Sequence, residues 1–336
     1  MTDRAVLLIQ LGGPETLADV PGFLYRLFSD PDVIRVRPAL LRKAIAATIA
    51  LGRKKASRKL YAAIGGGSPI RRLTEEQARG VERLLAARGR PIPVRAAMTC
   101  SAPMVEDGVR ELAAQGARRF LAVPLYPQYS LTTTKGALER SREAVRKLVP
   151  GGSLAEIGSW PTHPSFVKAH ADAIAAEVAR FPDPRPEAVH LLFSAHSIPK
   201  KLVTREGDPY QREIVSSVAA IAARLDPSSP RSLAYQSKLG PVEWLGPQTI
   251  DVIGELGRSG VRQVLVVPIA FVTDHVETLY EVDQLFGDAA REAGIAVFRR
   301  TRGLNDDPTF LAALEDLILA SDEFWSDGDR GGARPA

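Results

Sequence analysis

Cysteine is almost absent from this chain of 336 residues, which contains Cys100 alone. One thiol excludes an intramolecular disulfide framework, and within one chain it cannot supply the four cysteine ligands of an iron–sulfur cluster. We therefore expect no cluster and a reducing, cytoplasmic setting. No basic and apolar leader precedes the first apolar run, at residues 5–9, so we also expect no signal peptide.

Long apolar runs are missing as well. The apolar stretch at residues 44–51 is far shorter than the about 20 residues that a membrane-spanning helix needs. Basic residues flank it at positions 42–43, 53–55 and 58–59. This pattern suits a helix at a membrane interface or beside anionic ligand groups, and it equally suits an amphipathic helix packed on its own domain. We call residues 35–60 the lip.

The excess of positive charge is small. The chain has 44 basic and 39 acidic side chains, and aromatic residues make up only 6% of it. Because no basic groove interleaved with aromatic residues is visible, we expect no nucleic-acid partner. The glycine run at residues 65–67 lacks both the Lys-Ser/Thr of a P-loop and the Gly-x-Gly-x-x-Gly pattern, so nucleotide binding is not indicated. Thr74 and Gln77 have capping-box spacing, which predicts a helix that begins at Thr74 and ends near Gly89.

An internal repeat indicates the fold. Residues 107–125 recur at 251–269 with a constant offset of 144, as from 107 to 251 and from 124 to 268. Each copy is typical of a helix stopped by a glycine and followed by a buried strand, the unit of a parallel doubly wound sheet. With 45% hydrophobic residues the chain can bury two cores. We predict an α/β fold of two similar Rossmann-like halves, residues 1–160 and 161–336. The active site is expected in the cleft between them, and the final helix is expected to pack back on the first half.

The carboxyl ends of such strands are where ligands bind, and one of them presents a histidine. The apolar run at residues 191–195 ends at His196, and a looser echo relates this segment to residues 5–14 at a different offset. Neutral imidazole accepts protons near pH 7. A histidine in this place is also compatible with a structural role, bonded to a backbone carbonyl.

A second strand end offers carboxylates. The apolar run at residues 264–271 leads to Asp274, His275, Glu277 and Glu281. Residues three or four apart share a helix face, so we expect these carboxylates to lie together, able to relay protons or to hold a cation. The spacing of Asp274 and Glu277 also matches a capping box, in which the glutamate bonds back to the cap residue.

Seven sequence blocks resemble the ferrochelatase family, in the family's order and along nearly the full length of the chain. They are residues 12–16, 64–69, 125–130, 193–197, 207–210, 235–241 and 267–271. The resemblance implies a chelatase-like fold and an enzyme that inserts Fe²⁺ into a porphyrin bound in the cleft, with Fe²⁺ as substrate and no separate cofactor.

The resemblance also implies roles for individual residues. His196 is the implied acceptor of the pyrrole protons, Glu277 faces it, and both are implied metal ligands. Asp274, His275 and Glu281 are the implied relay for protons or metal behind Glu277. The implied porphyrin-binding residues are Leu11, Arg53, Tyr61, Ser68, Tyr129 and Trp160.

The chain departs from the family pattern at several positions. Thr99, Cys100 and Ala102 replace an arginine, an aromatic residue and a histidine of many relatives. Leu11 stands where some relatives have a tyrosine or methionine that ligates the product iron, so we expect easier haem release. The C-terminal segment, 327–336, has no cysteine for the cluster that some relatives carry there.

The expected substrate is protoporphyrin IX, and the reaction is expected to be the terminal step of haem biosynthesis. A dicarboxylate that partitions into membranes suits an apolar, basic-flanked lip, so we also expect peripheral contact with the cytoplasmic membrane. The alternatives are a coproporphyrin III ferrochelatase and a non-catalytic porphyrin- or haem-binding relative. The sequence leaves the oligomeric state open.

Overall fold

Two parallel four-stranded sheets form the framework of the computed structural model, which describes residues 2–238, 240 and 242–326. The C-terminal segment of the predicted second half, 327–336, lies outside the described residues. The first sheet has the order β2-β1-β3-β4, with β1 (Arg4–Gln10), β2 (Val94–Met98), β3 (Arg119–Pro124) and β4 (Ser153–Glu156). The second has the order β6-β5-β7-β8, with β5 (His190–His196), β6 (Arg231–Gln236), β7 (Gln263–Pro268) and β8 (Val297–Arg300).

Helices cover both faces of the sheets, which is why the central strands are almost continuously apolar. Those of the first half and its connection to the second are α1 (Val20–Ser29), α2 (Ala39–Ala63), α3 (Ile70–Ala87), α4 (Val105–Ala114), α5 (Thr134–Leu148) and α6 (Pro164–Val178). A 3₁₀ turn (Pro186–Ala188) is followed by α7 (Lys200–Glu206), α8 (Tyr210–Ala222), α9 (Thr249–Arg258), a π-helix (Glu277–Phe286), α10 (Gly287–Glu292), α11 (Pro308–Leu319) and α12 (Asp322–Trp325). Within the described residues, no helix combines the length and the apolar character needed to cross a membrane.

The structure confirms the predicted repeat of two α/β halves. Strands β3 and β7, helices α4 and α9, and strands β4 and β8 each begin 144 residues apart, and the two sheets have the same strand order. Gly116 and Gly260 end the paired helices with φ of 99° and 89°, the left-handed conformation expected after a helix. Strands β1 and β5 are also equivalent, and Gln10 therefore ends its strand where His196 ends the other.

The hydrophobic core differs from the two separate cores that the sequence led us to expect. One contiguous cluster of buried side chains includes Leu8 and Leu121 of the first sheet and Phe193 and Leu265 of the second. Helix α11, which carries the buried Phe310 of this cluster, packs on both α3 and α6. Each half also has a cluster of its own, and the first half has a further one that includes Val20 and Tyr61. The halves are therefore joined by packing as well as by the chain.

The last described helix, α12, contacts strands β3 and β4 of the first half. The guanidinium of Arg4 donates to the carbonyl oxygens of Phe324 and Trp325, each at 3.0 Å. Arg90 lies over the Trp325 ring, 4.2 Å from its centroid. These contacts hold the end of the second half on the first sheet.

The predicted start of α3 was wrong. The helix begins at Ile70, directly after Pro69, and Thr74 lies in its second turn, where its hydroxyl donates to the carbonyl of Ile70 at 2.6 Å. Proline is favoured at helix starts because its φ already suits the first turn. Gln77 caps nothing, because its buried side chain points away from the helix terminus toward the second half.

Candidate active site

His196 is the last residue of strand β5, which lies between β6 and β7 in the second sheet. Its Nδ1 contacts the carbonyl oxygen of Ser197 at 2.5 Å, so this nitrogen carries a proton and Nε2 is the free acceptor of the neutral ring. The hydroxyl of Tyr210 donates to the carbonyl of His196 at 2.9 Å and fixes the strand end. The imidazole is about one-third exposed, with 34% of its side chain accessible.

Glu277 faces the histidine from the first residue of the π-helix. Its Oε1 lies 3.6 Å from His196 Nε2, and its Oε2 lies 3.7 Å from His275 Nε2. The capping-box interpretation of Glu277 was wrong, because the Asp274 amide, which would donate to the Glu277 side chain in a capping box, donates to Asn305 Oδ1 at 2.9 Å instead. The Glu277 carboxylate is thus free of the helix terminus and directed at two imidazoles.

The electrostatics of this trio keep Glu277 ionised. Burial alone would raise the pKa of the Glu277 carboxyl, but the charges of His196 and His275 hold it below its ordinary value. Burial would likewise lower the pKa of His275, and its contact with Glu277 raises it instead. The His275 Nδ1 contacts the carbonyl of Thr273 at 2.9 Å, which leaves Nε2 toward Glu277. The site therefore holds a carboxylate between two imidazoles, whose protonated forms stabilise its negative charge.

Glu281 lies one turn further along the π-helix. Its carboxylate accepts from the Ser237 amide at 3.0 Å, from the Ser237 hydroxyl at 2.5 Å and from Gln236 Nε2 at 3.1 Å. Burial, reinforced by the charge of Glu277, raises the pKa of Glu281. Gln236 also donates to the carbonyl of Glu277 at 3.3 Å, so its side-chain amide bonds to two successive turns of the π-helix. Two neighbouring carboxyls with pKa values shifted in opposite directions are suited to passing a proton.

Asp274 does not share the face of Glu277 and Glu281, so the expected common face of three carboxylates was wrong. It precedes the helix, and its Oδ1 accepts from Arg300 at 2.9 Å while its Oδ2 accepts from Asn305 at 2.9 Å. Burial would raise the pKa of Asp274, but Arg300 and these hydrogen bonds lower it. The side chain fixes the loop between β7 and the π-helix.

Two of the implied porphyrin-binding residues lie beside this trio. Tyr61, on the last turns of α2, is buried in the cluster that joins α1 and α2, and Leu11 and Val276 pack against the same cluster. Burial, with the charge of Glu277 added, raises the pKa of the Tyr61 hydroxyl. The lip, the end of β1 and the loop before Glu277 therefore meet at one place.

The other implied porphyrin-binding residues are more dispersed. Ser68 follows the glycine run and donates its amide to the carbonyl of Pro14 at 2.7 Å. Arg53 is exposed on α2, and Tyr129 is half-buried after β3. Trp160 is only 4% exposed and belongs to the shared core, where its ring contacts Phe166 and Phe310.

The three departures from the family pattern lie in the loop after β2, and Cys100 belongs to the same cluster as Tyr61. Cys100 is buried, and burial raises its pKa to about 11. The backbone carbonyls of Thr99 and Cys100 accept from Arg140 and Arg26, at 2.5 and 2.7 Å. Ala102 is exposed. In this chain the segment is held by its backbone and offers no ionised side chain.

Two ion pairs tie the lip and its approach to the walls of the cleft. Asp32 lies 3.1 Å from the ammonium of Lys135 at the start of α5. Arg35 forms an ion pair with Glu206, at the end of α7 in the second half. The surface of the lip exposes apolar and basic side chains together: Leu40, Leu41 and Leu51 are exposed by 85%, 52% and 62%, and Lys43 and Arg53 are also exposed.

Residues that the sequence did not single out complete the site. Gln236 and Ser237 hold Glu281, and the φ of 67° at Ser237 aims its amide at that carboxylate. Thr273 and Asn305 hold the loop before Glu277. Among residues 2–238, 240 and 242–326, no three or more His, Cys, Asp or Glu side chains form a group that could hold a metal ion. His196 and Glu277 face each other as a pair, and their roles as metal ligands stay predictions.

Comparison with known proteins identifies the family. The family model for ferrochelatase matches residues 3–322. A ferrochelatase from Synechococcus sp. (strain JA-2-3B'a(2-13)) is 46% identical over 321 residues, covering 95% of this chain and 92% of the relative. A ferrochelatase from Gloeobacter violaceus is 40% identical over 328 residues, covering 95% and 98%.

Solved structures of low sequence identity share the fold. SirB from Bacillus subtilis with Fe³⁺ superposes with a TM-score of 0.55 at 14% identity, covering 96% of this chain and 97% of that one. The sirohydrochlorin chelatase SirB from Bacillus subtilis subspecies spizizenii, in complex with cobalt, gives 0.53 at 15% identity, with 96% of each chain covered. The chelatase-like fold is thus confirmed, and the sequence matches show that this chain belongs to the ferrochelatase family.

Proposed function

We propose that this chain is a protoporphyrin IX ferrochelatase, a lyase-class enzyme that inserts Fe²⁺ and releases two protons in the terminal step of haem biosynthesis. The observation that carries the proposal is the separation of 3.6 Å between His196 Nε2 and Glu277 Oε1, which lie together beyond the carboxyl ends of the paired strands β5 and β7. A base and a carboxylate in this arrangement match the two tasks of the reaction, which are to remove pyrrole protons and to admit a dication.

Metallation exchanges two pyrrole N–H protons for one Fe²⁺. His196 accepts a proton at Nε2, because its Nδ1 is already bonded to the carbonyl of Ser197. Glu277, ionised at neutral pH, attracts Fe²⁺ and balances the imidazolium that forms. Glu281 has a raised pKa and lies one turn away, so it takes protons onward from the cleft. His275 orients Glu277 from behind, and Asp274 acts through the loop that it fixes.

The nature of the lip supports protoporphyrin IX over coproporphyrin III. Leu40, Leu41 and Leu51 are exposed on α2, and Arg53 is on the same helix. Exposed leucines gain free energy by inserting into a membrane or by covering an apolar porphyrin rim. A guanidinium suits one of the two propionates of protoporphyrin. A porphyrin with four propionates has less apolar rim to cover.

The test is an anaerobic assay of purified protein with Fe²⁺ and each porphyrin separately, under identical detergent and salt, read from the absorbance of the metallated product. We expect a higher kcat/KM for protoporphyrin IX, since specificity is read from that ratio. A higher value for coproporphyrin III would assign the chain to that substrate instead. Porphyrin binding without metallation of either compound would indicate a non-catalytic binding protein.

The lip is proposed to contact the cytoplasmic membrane. Replacing Leu40, Leu41 and Leu51 by serine should reduce co-sedimentation with anionic vesicles, because the three side chains are the apolar contact surface. A matched control replaces Val215 and Ile250, which are exposed by 50% and 41% on α8 and α9, by serine. Equal sedimentation of the lip variant and the control would remove the membrane role from the lip.

A further inference from the structure

A buried polar network crosses from the first half to the loop that carries His275 and Glu277. Its origin is Gln77, a fully buried residue on α3. Gln77 Nε2 donates to the Thr273 hydroxyl at 3.0 Å and to the Asn305 carbonyl at 2.8 Å. Gln10, at the end of β1, also donates to the Thr273 hydroxyl, at 3.3 Å. Two amides of the first half therefore converge on one threonine of the second.

Thr273 and Asn305, the partners of Gln77, each bond to residues of the loop that precedes Glu277. The Thr273 carbonyl is the acceptor for His275 Nδ1 at 2.9 Å. The Asn305 side chain accepts from the Asp274 amide at 2.9 Å and donates to the Asp274 carboxylate at 2.9 Å. Asp274 in turn receives the hydroxyl of Thr278, in the first turn of the π-helix. Each bond places a neighbour of Glu277.

We propose that Gln77 is a positioning residue for the metal-facing wall of the cleft: from the first half it sets the loop that presents His275 and Glu277. The expected change in kinetics rests on the proposed function, whereas the expected change in the structure of the loop rests on the hydrogen bonds alone. Gln77 touches neither porphyrin nor iron in this scheme. It acts through Thr273 and Asn305.

The physical argument is one of unsatisfied groups. Without the Gln77 amide, the Asn305 carbonyl loses the donor that reaches it from the first half, and a buried polar group left without a partner is costly. The loop then moves to find other partners. Thr273, Asn305 and Asp274 are all buried, exposed by 1%, 6% and 8%, so water cannot substitute without such a movement. Groups that orient metal-facing side chains typically change metal affinity or activity by roughly 10–100-fold when removed.

The test compares Gln77→Met, which conserves side-chain length and removes both hydrogen-bonding atoms, with Gln263→Met. Gln263 is a matched control: it is a buried glutamine bonded to the Asp183 and Ala188 carbonyls at the opposite, amino end of β7. We expect Gln77→Met to raise the KM for Fe²⁺ by roughly 10–100-fold and to leave the KM for porphyrin unchanged. Gln263→Met should change neither KM, although both variants lose thermal stability.

Hydrogen exchange gives a readout that does not depend on turnover. The amides of Asp274 and His275 donate to the Asn305 and Thr278 side chains, so their exchange should accelerate in Gln77→Met and not in Gln263→Met. Thr273→Val, which removes the shared hydroxyl, should give a smaller change in the same direction. Unchanged exchange at these amides, or equal losses for both substrates, would overturn the positioning role. If the wild type failed to metallate any porphyrin, the proposed function would fall while the exchange data still decided the role of Gln77.

Discussion

Replacing Glu277 by glutamine removes the negative charge of the side chain and keeps its shape. The amide has the same size, and the backbone carbonyl of residue 277 still accepts from Gln236. Because the structure excludes a capping role for the side chain, we expect no loss of helix stability. Only the negative charge facing His196 disappears, and with it the attraction for Fe²⁺ and for the imidazolium.

The size of the effect follows from the separation of 3.6 Å. Two unit charges at this distance attract by about 1 kcal/mol in water and by about 5 kcal/mol at an effective dielectric constant of about 20. The two side chains are 34% and 27% exposed, so the environment lies between these limits. A loss of about 2–3 kcal/mol corresponds to a decrease in kcat/KM for Fe²⁺ of about 30- to 160-fold.

The assay is the anaerobic formation of the metallated porphyrin at several Fe²⁺ concentrations. Glu315→Gln is the control, because Glu315 is also buried and forms an ion pair at 3.2 Å with Arg88, which follows the last residue of α3. We expect the control to keep wild-type kcat/KM. Wild-type activity in Glu277→Gln, with Fe²⁺ varied below saturation, would refute the electrostatic role of Glu277.

Three further predictions concern single side chains. His196→Ala should abolish turnover and leave porphyrin binding intact, measured by fluorescence quenching; substantial residual turnover would remove His196 as proton acceptor. His170 is buried, without a hydrogen-bond partner for either ring nitrogen, and burial lowers its pKa to about 3. Below pH 6.5 the unfolded chain therefore binds a proton at His170 that the folded chain does not bind. At pH 5 this difference lowers the free energy of unfolding by about 2 kcal/mol. Between pH 7.5 and 5, His170→Phe should therefore lose less stability than wild type in urea titrations. Acid-labile sulfide should be absent from the purified protein, since Cys100 cannot anchor a cluster, and a stoichiometric amount would contradict this.

Much of the fold was predictable because its signals are local. The repeat follows from apolar runs such as β3 and β7 and from Gly116 and Gly260, whose left-handed backbone ends two helices. The shared core was not predictable, since an apolar strand is the same in sequence whether its outer face meets its own helices or the other half. Nothing in the sequence around Leu121 and Phe193 indicates that the two residues belong to one cluster.

The candidate site was predicted only in part, again because sequence patterns are local. His196 follows a strand and Glu277 follows a loop, so both were identified from order along the chain. The choice between capping and catalysis for Glu277 depends on Asn305, whose side chain accepts the hydrogen bond of the Asp274 amide. Spacing alone cannot distinguish the two interpretations, because both need groups that are three positions apart. Gln77 and Thr273 meet across 196 positions, a distance at which local patterns carry no information.

The core that joins the halves limits how the cleft can open. Hinge bending would disrupt the shared cluster, to which Leu121 and Phe193 belong, and expose apolar surface that both sheets now bury. The ion pairs of the lip, by contrast, involve partly exposed side chains such as Arg35 and Glu206, and pairs of this kind contribute little free energy. We therefore expect the body of the protein to behave as a stiff frame and any opening of the cleft to be a movement of its edge, on the microsecond-to-millisecond scale of collective motions.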